Sequence, residues 1–163
     1  MSAGKHTAKG FTIIELMLTV VVLGVMLAVG LPSLGNLVIS QRVKTAASDL
    51  HVSLTLARSE AIKRNATVQV EPVDATNWSK GWSVKAAGAT LSTQEAYSNL
   101  TFTGPAASVS YIGTGRMSGT AVSFVIRATS ATAVPQRCVQ VEPSGRPSVR
   151  MDKDGNYTDG VCG

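Results

Sequence analysis

A glutamate at position 15 stands inside the run FTIIELMLTVVVLGVMLAVGLP. A charged side chain at bilayer depth costs about 2.5 kcal/mol or more, so this carboxylate needs a partner or a task. Its chemistry would be electrostatic: in low dielectric a carboxylate and an ammonium attract far more strongly than in water, and each relieves the other's desolvation. Few other residues offer reactive groups. His6 and His51 are the only histidines, and Cys138 and Cys162 the only cysteines. Two cysteines alone do not make a zinc site, and no serine or cysteine nucleophile has a histidine to serve it. There is no glycine-rich phosphate loop and no paired-carboxylate site, so the chain reads as a non-enzyme without metal or cofactor. The stretch DKDGNYTDG, from Asp152 to Gly160, gathers oxygen ligands, but Gly155 directly follows the second aspartate and no glutamate closes the loop. A polar turn is preferred there over a calcium site.

The elements that must position these residues begin with a helix. Phe11 to Leu31 carries Glu15 as its only charge, and its roughly 21 residues at 1.5 Å each span the ~30 Å hydrocarbon core. Ahead of it MSAGKHTAKG holds Lys5, His6 and Lys9 with no acid, a basic leader that should stay cytoplasmic and leave the remainder outside. A secretory signal fits less well, because its apolar centre is shorter and ends in a small-residue cleavage site. Mean hydropathy is +0.17, and the excess sits in this run. Beyond Pro32, Ala47, Leu50, Leu54, Ala57 and Ala61 form one apolar stripe at alternating spacings of three and four. Gln41, Arg42, Lys44, Asp49, Arg58, Glu60, Lys63 and Arg64 are assigned to a solvated face, and Asn65 is a stop that tolerates the left-handed conformation.

After Asn65 the period changes to two. Thr67–Val70, Trp82–Val84, Ser108–Ile112, Val122–Ile126 and Cys138–Val141 read as short strands punctuated by Gly, Pro, Ser and Asn. A sheet packed on the upper helix is expected, which makes the fold α+β. The expected divisions are a leader at 1–10, a membrane helix and assembly segment at 11–32, an amphipathic continuation at 33–65 and a β-sheet domain at 66–163. On the outward, oxidising side a Cys138–Cys162 disulfide is favoured over a metal site or a reactive thiol.

Gly10-Phe11-Thr12-Ile13-Ile14-Glu15 resembles the class III leader of type IV pilins and pseudopilins, and Pro32 matches the proline that bends pilin helices. The resemblance implies that a prepilin peptidase cuts after Gly10, that the new amino terminus at Phe11 is methylated, and that Glu15 attracts the amine of a neighbouring subunit during assembly. Leu56-Ala57-Arg58-Ser59-Glu60-Ala61-Ile62-Lys63-Arg64-Asn65 with Val68, and Trp78-Ser79-Lys80-Gly81-Trp82-Ser83-Val84, are similar to the GspH/FimT branch. That branch comprises minor pilins and the H-type pseudopilin of type II secretion. A carboxyl-terminal disulfide beside a Ser-Gly-Arg turn resembles FimT- and FimU-like minor pilins more than secretion pseudopilins. The implied partners are other pilins or pseudopilins, the peptidase and the inner membrane, with single-pass insertion and a periplasmic domain.

Relatives used in DNA uptake carry a Gly-Arg-x-Arg turn. Here Gly145 and Arg146 are followed by Ser148 in the second arginine slot, and Arg150 comes two residues later. On an extended strand Arg146, Ser148 and Arg150 share a face, with the guanidiniums expected about 6 to 7 Å apart, a spacing that could bracket a double-stranded DNA backbone. Lys153 adds a third cation, but a turn with solvated arginines is preferred there over DNA contact. Without Lys5 and Lys9 the chain keeps 13 basic against 10 acidic side chains, a net of +3. That charge alone does not separate a patch from a scatter at Arg116, Arg127, Arg137, Arg146, Arg150 and Lys153. Trp78, Trp82, Tyr97 and Tyr111 read as packing residues rather than base-stacking platforms.

Overall fold

The computed structural model describes residues 11–74, 76–153, 155–156 and 162 of the chain. They fall into two compact units, Met1–Gly35 and Asn36–Gly163. Helix α1 (Ile13–Arg64) supplies residues to both.

In the first unit α1 opens on a side-chain cap. Thr12 Oγ1 accepts the Glu15 N–H at 3.3 Å, and Thr12 followed three residues later by Glu15 is the sequence of a capping box. Glu15 therefore stands in the first turn, where the exposed N–H groups and the helix dipole favour an anion. The large apolar side chains from Phe11 to Leu27 are exposed around the whole helix, from 47% at Val22 to 81% at Ile13. A helix apolar on every side is suited to lipid or to neighbouring helices, not to water. The described side chains of this stretch end at Ala28, which is roughly 24 Å of helix. Among the described residues no helix is long and apolar enough to cross a membrane. The leader, Gly10 and the side chain of Pro32 lie outside the described residues.

In the second unit α1 buries Val43, Ala46, Ala47, Leu50, Leu54, Ala57 and Ala61 completely. Small alanines alternate with leucines, so the strands approach the helix closely. A buried leucine such as Leu54 is worth about 2 to 5 kcal/mol on truncation to alanine. The helix stops at Asn65, whose φ is 48°. The Ala66 N–H bonds Ala61 O and the Asn65 N–H bonds Ile62 O, each at 3.2 Å. This is the Schellman pattern, with asparagine taking the left-handed position.

Among the described residues eight antiparallel strands follow: β1 (Val68–Asp74), β2 (Asn77–Ala86), β3 (Ala89–Gln94), β4 (Leu100–Thr103), β5 (Val109–Tyr111), β6 (Val122–Ala128), β7 (Arg137–Val141) and β8 (Pro147–Met151). The single sheet expected from the sequence is two: β3-β2-β1-β5 and β4-β6-β7-β8. The division is in the pairing. β1 takes β2 on one side and β5 on the other, while β6, β7 and β8 form a meander that collects β4 at its far edge.

The core lies among α1 and the two sheets. Trp78 meets Phe124 edge-on at 4.8 Å, and its indole N–H donates to Pro105 O at 2.9 Å. Trp82 stacks near Tyr97 at 5.9 Å and donates to the buried Ser53 Oγ at 2.9 Å. Both indoles are satisfied inside the fold, as large buried aromatics with a polar handle must be. Tyr97 in turn donates to Asp49 Oδ2 at 2.6 Å. Burial, reinforced by that hydrogen bond and the nearby carboxylate, pushes the Tyr97 hydroxyl well above the usual phenol range.

Candidate functional site

The segment Leu56–Asn65, which carries the sequence resemblance, ends in a junction of three elements. Arg58, assigned to a solvated face from sequence, is half-buried instead. Its Nε donates to Gly115 O at 3.0 Å and its Nη2 reaches Ser144 O at 3.5 Å. The reason is local. Arg58 lies one helical turn before Ile62, and the loop Ile112–Met117 folds back beneath both, closed by Ile112 N–H to Arg116 O at 3.0 Å and Gly115 N–H to Ile112 O at 2.8 Å.

The turn joining β7 to β8 leans on that same loop. It closes with Gly145 N–H to Glu142 O at 2.8 Å, and Met117 N–H bonds Pro143 O at 3.2 Å. Gly145 has φ +81°, and a Cβ there would collide with Gly115 O, the oxygen that Arg58 holds. Only glycine fits. One guanidinium thus ties the helix end to a loop from the first sheet and a turn from the second, and the next residue in that turn is Arg146.

Arg146, Arg150 and Lys153 are all exposed. Cys138 pairs with Arg150 and Gln140 with Ser148, so Ser148 and Arg150 occupy the face of the second sheet turned away from the buried Val139 and Val141. The expected separation of 6 to 7 Å is corrected. Arg146 and Arg150 are four residues apart, which at ~3.3 Å per residue is about 13 Å of strand. Lys153 follows β8 at odd parity and does not continue the Arg146–Arg150 row. The basic residues do not form one patch. Arg127 shares the outward face, while Arg137 shares the face of the buried Val139 and Val141 and points the other way.

Cys138 and Cys162 are joined by a disulfide, with Cα atoms 6.1 Å apart. Cys138 is directly opposite Arg150 in the β7–β8 pairing, so the bond fastens Cys162 to β7 at that register. Ser123 Oγ lies 3.8 Å from the Cys162 sulfur. Of the Asp152 to Asp159 loop, Asp152 is buried and accepts from Gln136 Nε2 at 2.7 Å. Asp154 and Asp159 lie outside the described residues. Among the described residues no three potential ligands cluster to hold a metal ion.

A groove of about 480 Å³ runs between α1 and the segment before β4, lined by Leu37, Val38, Arg42, Tyr97 and Leu100. At the other end of the helix Glu60 bonds Arg64 at 2.7 Å, and that guanidinium holds the Glu60 carboxyl below its usual range.

Residues 46–145 match the family described as Type II transport protein GspH, and residues 5–31 match the Prokaryotic N-terminal methylation motif. Among solved structures the chain is similar to the type IV minor pilin FimU of Pseudomonas aeruginosa in two crystal forms. One has a TM-score of 0.60 at 20% identity, covering 74% of this chain and 95% of that chain. The other has 0.58 at 21%, covering 72% and 98%. It is also similar to the minor pseudopilin EpsH from the Type 2 Secretion System of Vibrio cholerae, with a TM-score of 0.52 at 16% identity, covering 68% and 95%. At these identities the likeness is one of fold, α+β and pilin-like. A search of curated proteins gives no match.

Proposed function

From the premise that the chain belongs to the GspH family, which gives it a role in pilus or pseudopilus assembly, we propose that it is a minor type IV pilin that helps prime a pilus and sits near its tip. A prepilin peptidase removes residues 1–10, Phe11 becomes the methylated amino terminus, and the apolar helix holds the protein in the inner membrane with its β domain in the periplasm. Glu15, in the first turn of the helix next to the processed terminus, then attracts the amino terminus of a neighbouring pilin. The protein acts as a structural subunit and not as an enzyme.

The observation that carries the pilus reading is the Cys138–Cys162 bond on β7, in the same hairpin as the Ser144-Gly145-Arg146 turn. The H-type pseudopilin of type II secretion is the alternative, supported by the fold shared with EpsH. A further part of the proposal is weak, sequence-independent capture of double-stranded DNA by Arg146, Arg150 and Lys153, supported by their exposure. Arginines spaced along an edge strand reach phosphates rather than base edges.

The test is recovery of the chain in filaments sheared from cells lacking either the pilus assembly machinery or the type II secretion machinery. Loss only in the first strain is expected. Loss only in the second transfers the chain to the pseudopilus, and absence from filaments altogether overturns the assembly role.

A further inference from the structure

A flank of α1 different from the one facing Tyr97 carries a second recess. Lys44, Ala47, Ser48 and His51 line it from the helix, Arg137 from β7 and Val149 from β8, around a volume of about 200 Å³. The spacing of four and three residues stacks Lys44, Ser48 and His51 on one helix face. Strand alternation turns Arg137 toward them, on the side of Val139 and Val141.

Lys44 and Arg137 bring two cations together here beside the His51 imidazole, and no acidic side chain lines the recess. Among the described residues no side chain of Lys44, His51 or Arg137 makes an ion pair or hydrogen bond; the salt bridges join Glu60 to Lys63 and Arg64, and Glu71 to Lys85. Nearby acids are occupied: Asp49 accepts from Tyr97 and Asp152 from Gln136. Positive groups drawn together by the fold repel one another until an anion enters.

We propose that this recess receives the carboxylate of an Asp or Glu side chain from a neighbouring pilin subunit. Its size and walls select that occupant. At ~30 Å³ per water the recess holds a side-chain head and a few waters, and Ala47 and Val149 give it apolar walls that suit the stem of a long side chain. A duplex phosphate stays at the level of its own backbone and suits a raised edge such as Arg146–Arg150 better than a notch between helix and sheet. Lys44 and Arg137 supply the charge, and the Ser48 hydroxyl is a neutral donor between Lys44 and His51. The contact sets register between subunits, since a carboxylate out of register misses the two cations, Lys44 and Arg137.

The proposal rests on the assembly reading above, and the experiment separates the two. Filaments containing the chain are treated with a carbodiimide, which activates a carboxylate as its O-acylisourea; a lysine amine in direct contact then forms the amide and displaces the reagent as a urea. Mass spectrometry then locates the amide bonds. The expected result is a bond from Lys44 to an acidic residue of another subunit. It should disappear in Lys44→Arg while incorporation is kept, because the charge remains. Arg137→Gln should lower incorporation about fivefold, as ~1 kcal/mol implies, with unchanged melting of the monomer in detergent. If the chain is in the filaments and Lys63 or Lys80 forms bonds but Lys44 does not, the recess is not a carboxylate site. Bonds from Lys44 only to acids of its own chain, or protection of Lys44 from acylation only when DNA is added, overturn the proposal equally. Absence of the chain from the filaments overturns the assembly reading instead.

Discussion

Replacing Arg58 by alanine removes the guanidinium that joins the helix end to Gly115 O and Ser144 O. The Nε bond is well formed at 3.0 Å and part-buried, and hydrogen bonds to charged groups contribute about 1.5 to 3 kcal/mol. The Nη2 contact at 3.5 Å is at the limit of a hydrogen bond and adds little. The truncation also strands Gly115 O in a crowded spot, where Gly145 leaves no room for a side chain to take over. The expected loss is therefore about 2 to 3 kcal/mol, a large share of the 5 to 15 that holds a typical domain. Trp78 and Trp82 are both fully buried, so their fluorescence reports the unfolding of the β domain in urea, with the mature chain held in detergent. With a urea slope of about 2 kcal/mol per molar the midpoint should fall by about 1 M. Arg58→Lys should recover roughly half, because one ammonium reaches one carbonyl but cannot span both. A midpoint for Arg58→Ala within about 0.2 M of wild type would refute the idea that this side chain holds the junction together.

Reduction of Cys138–Cys162, which closes a loop across a separation of 24 residues, should cost roughly 3 to 4 kcal/mol on the chain-entropy model, and thiol counting on periplasmic protein should find none free. Two reactive thiols would contradict the bond. If the arginine strand touches DNA, Arg146→Ala and Arg150→Ala should each lower affinity and the salt slope for double-stranded DNA and leave melting nearly unchanged, because exposed arginines contribute little to folding. A salt titration indifferent to both substitutions would place any DNA contact elsewhere.

Most of the helix was legible because its core contacts repeat. The stripe Ala47, Leu50, Leu54, Ala57, Ala61 is buried as its spacing implies, and Asn65 takes the left-handed turn that its chemistry allows. Strands with alternating β-branched residues, such as Val122–Ala128, were equally visible. β3 was not, because ATLSTQ is a polar edge with no buried face, and β4 is only four residues long. Arg58 read as solvated because its acceptors lie 57 and 86 residues away, and no local pattern encodes a partner at that distance. For the same reason a count of basic residues did not separate Arg137 from Arg127 and Arg150. Which face each occupies follows only from strand register. The spacing of Arg146 and Arg150 was open to arithmetic from the start, since four residues of extended chain cover about 13 Å.

The central claim is that a processed amino terminus carries this chain into a filament through Glu15. The direct measurement is mass spectrometry of membrane and filament fractions from cells expressing wild type or Glu15→Ala. Wild-type chain should appear in filaments beginning at methylated Phe11. The variant should be processed and stable in the membrane, since losing the carboxylate relieves an insertion cost, yet be missing from filaments. An intact leader, a cut beyond Leu31, or normal incorporation of Glu15→Ala would contradict the account.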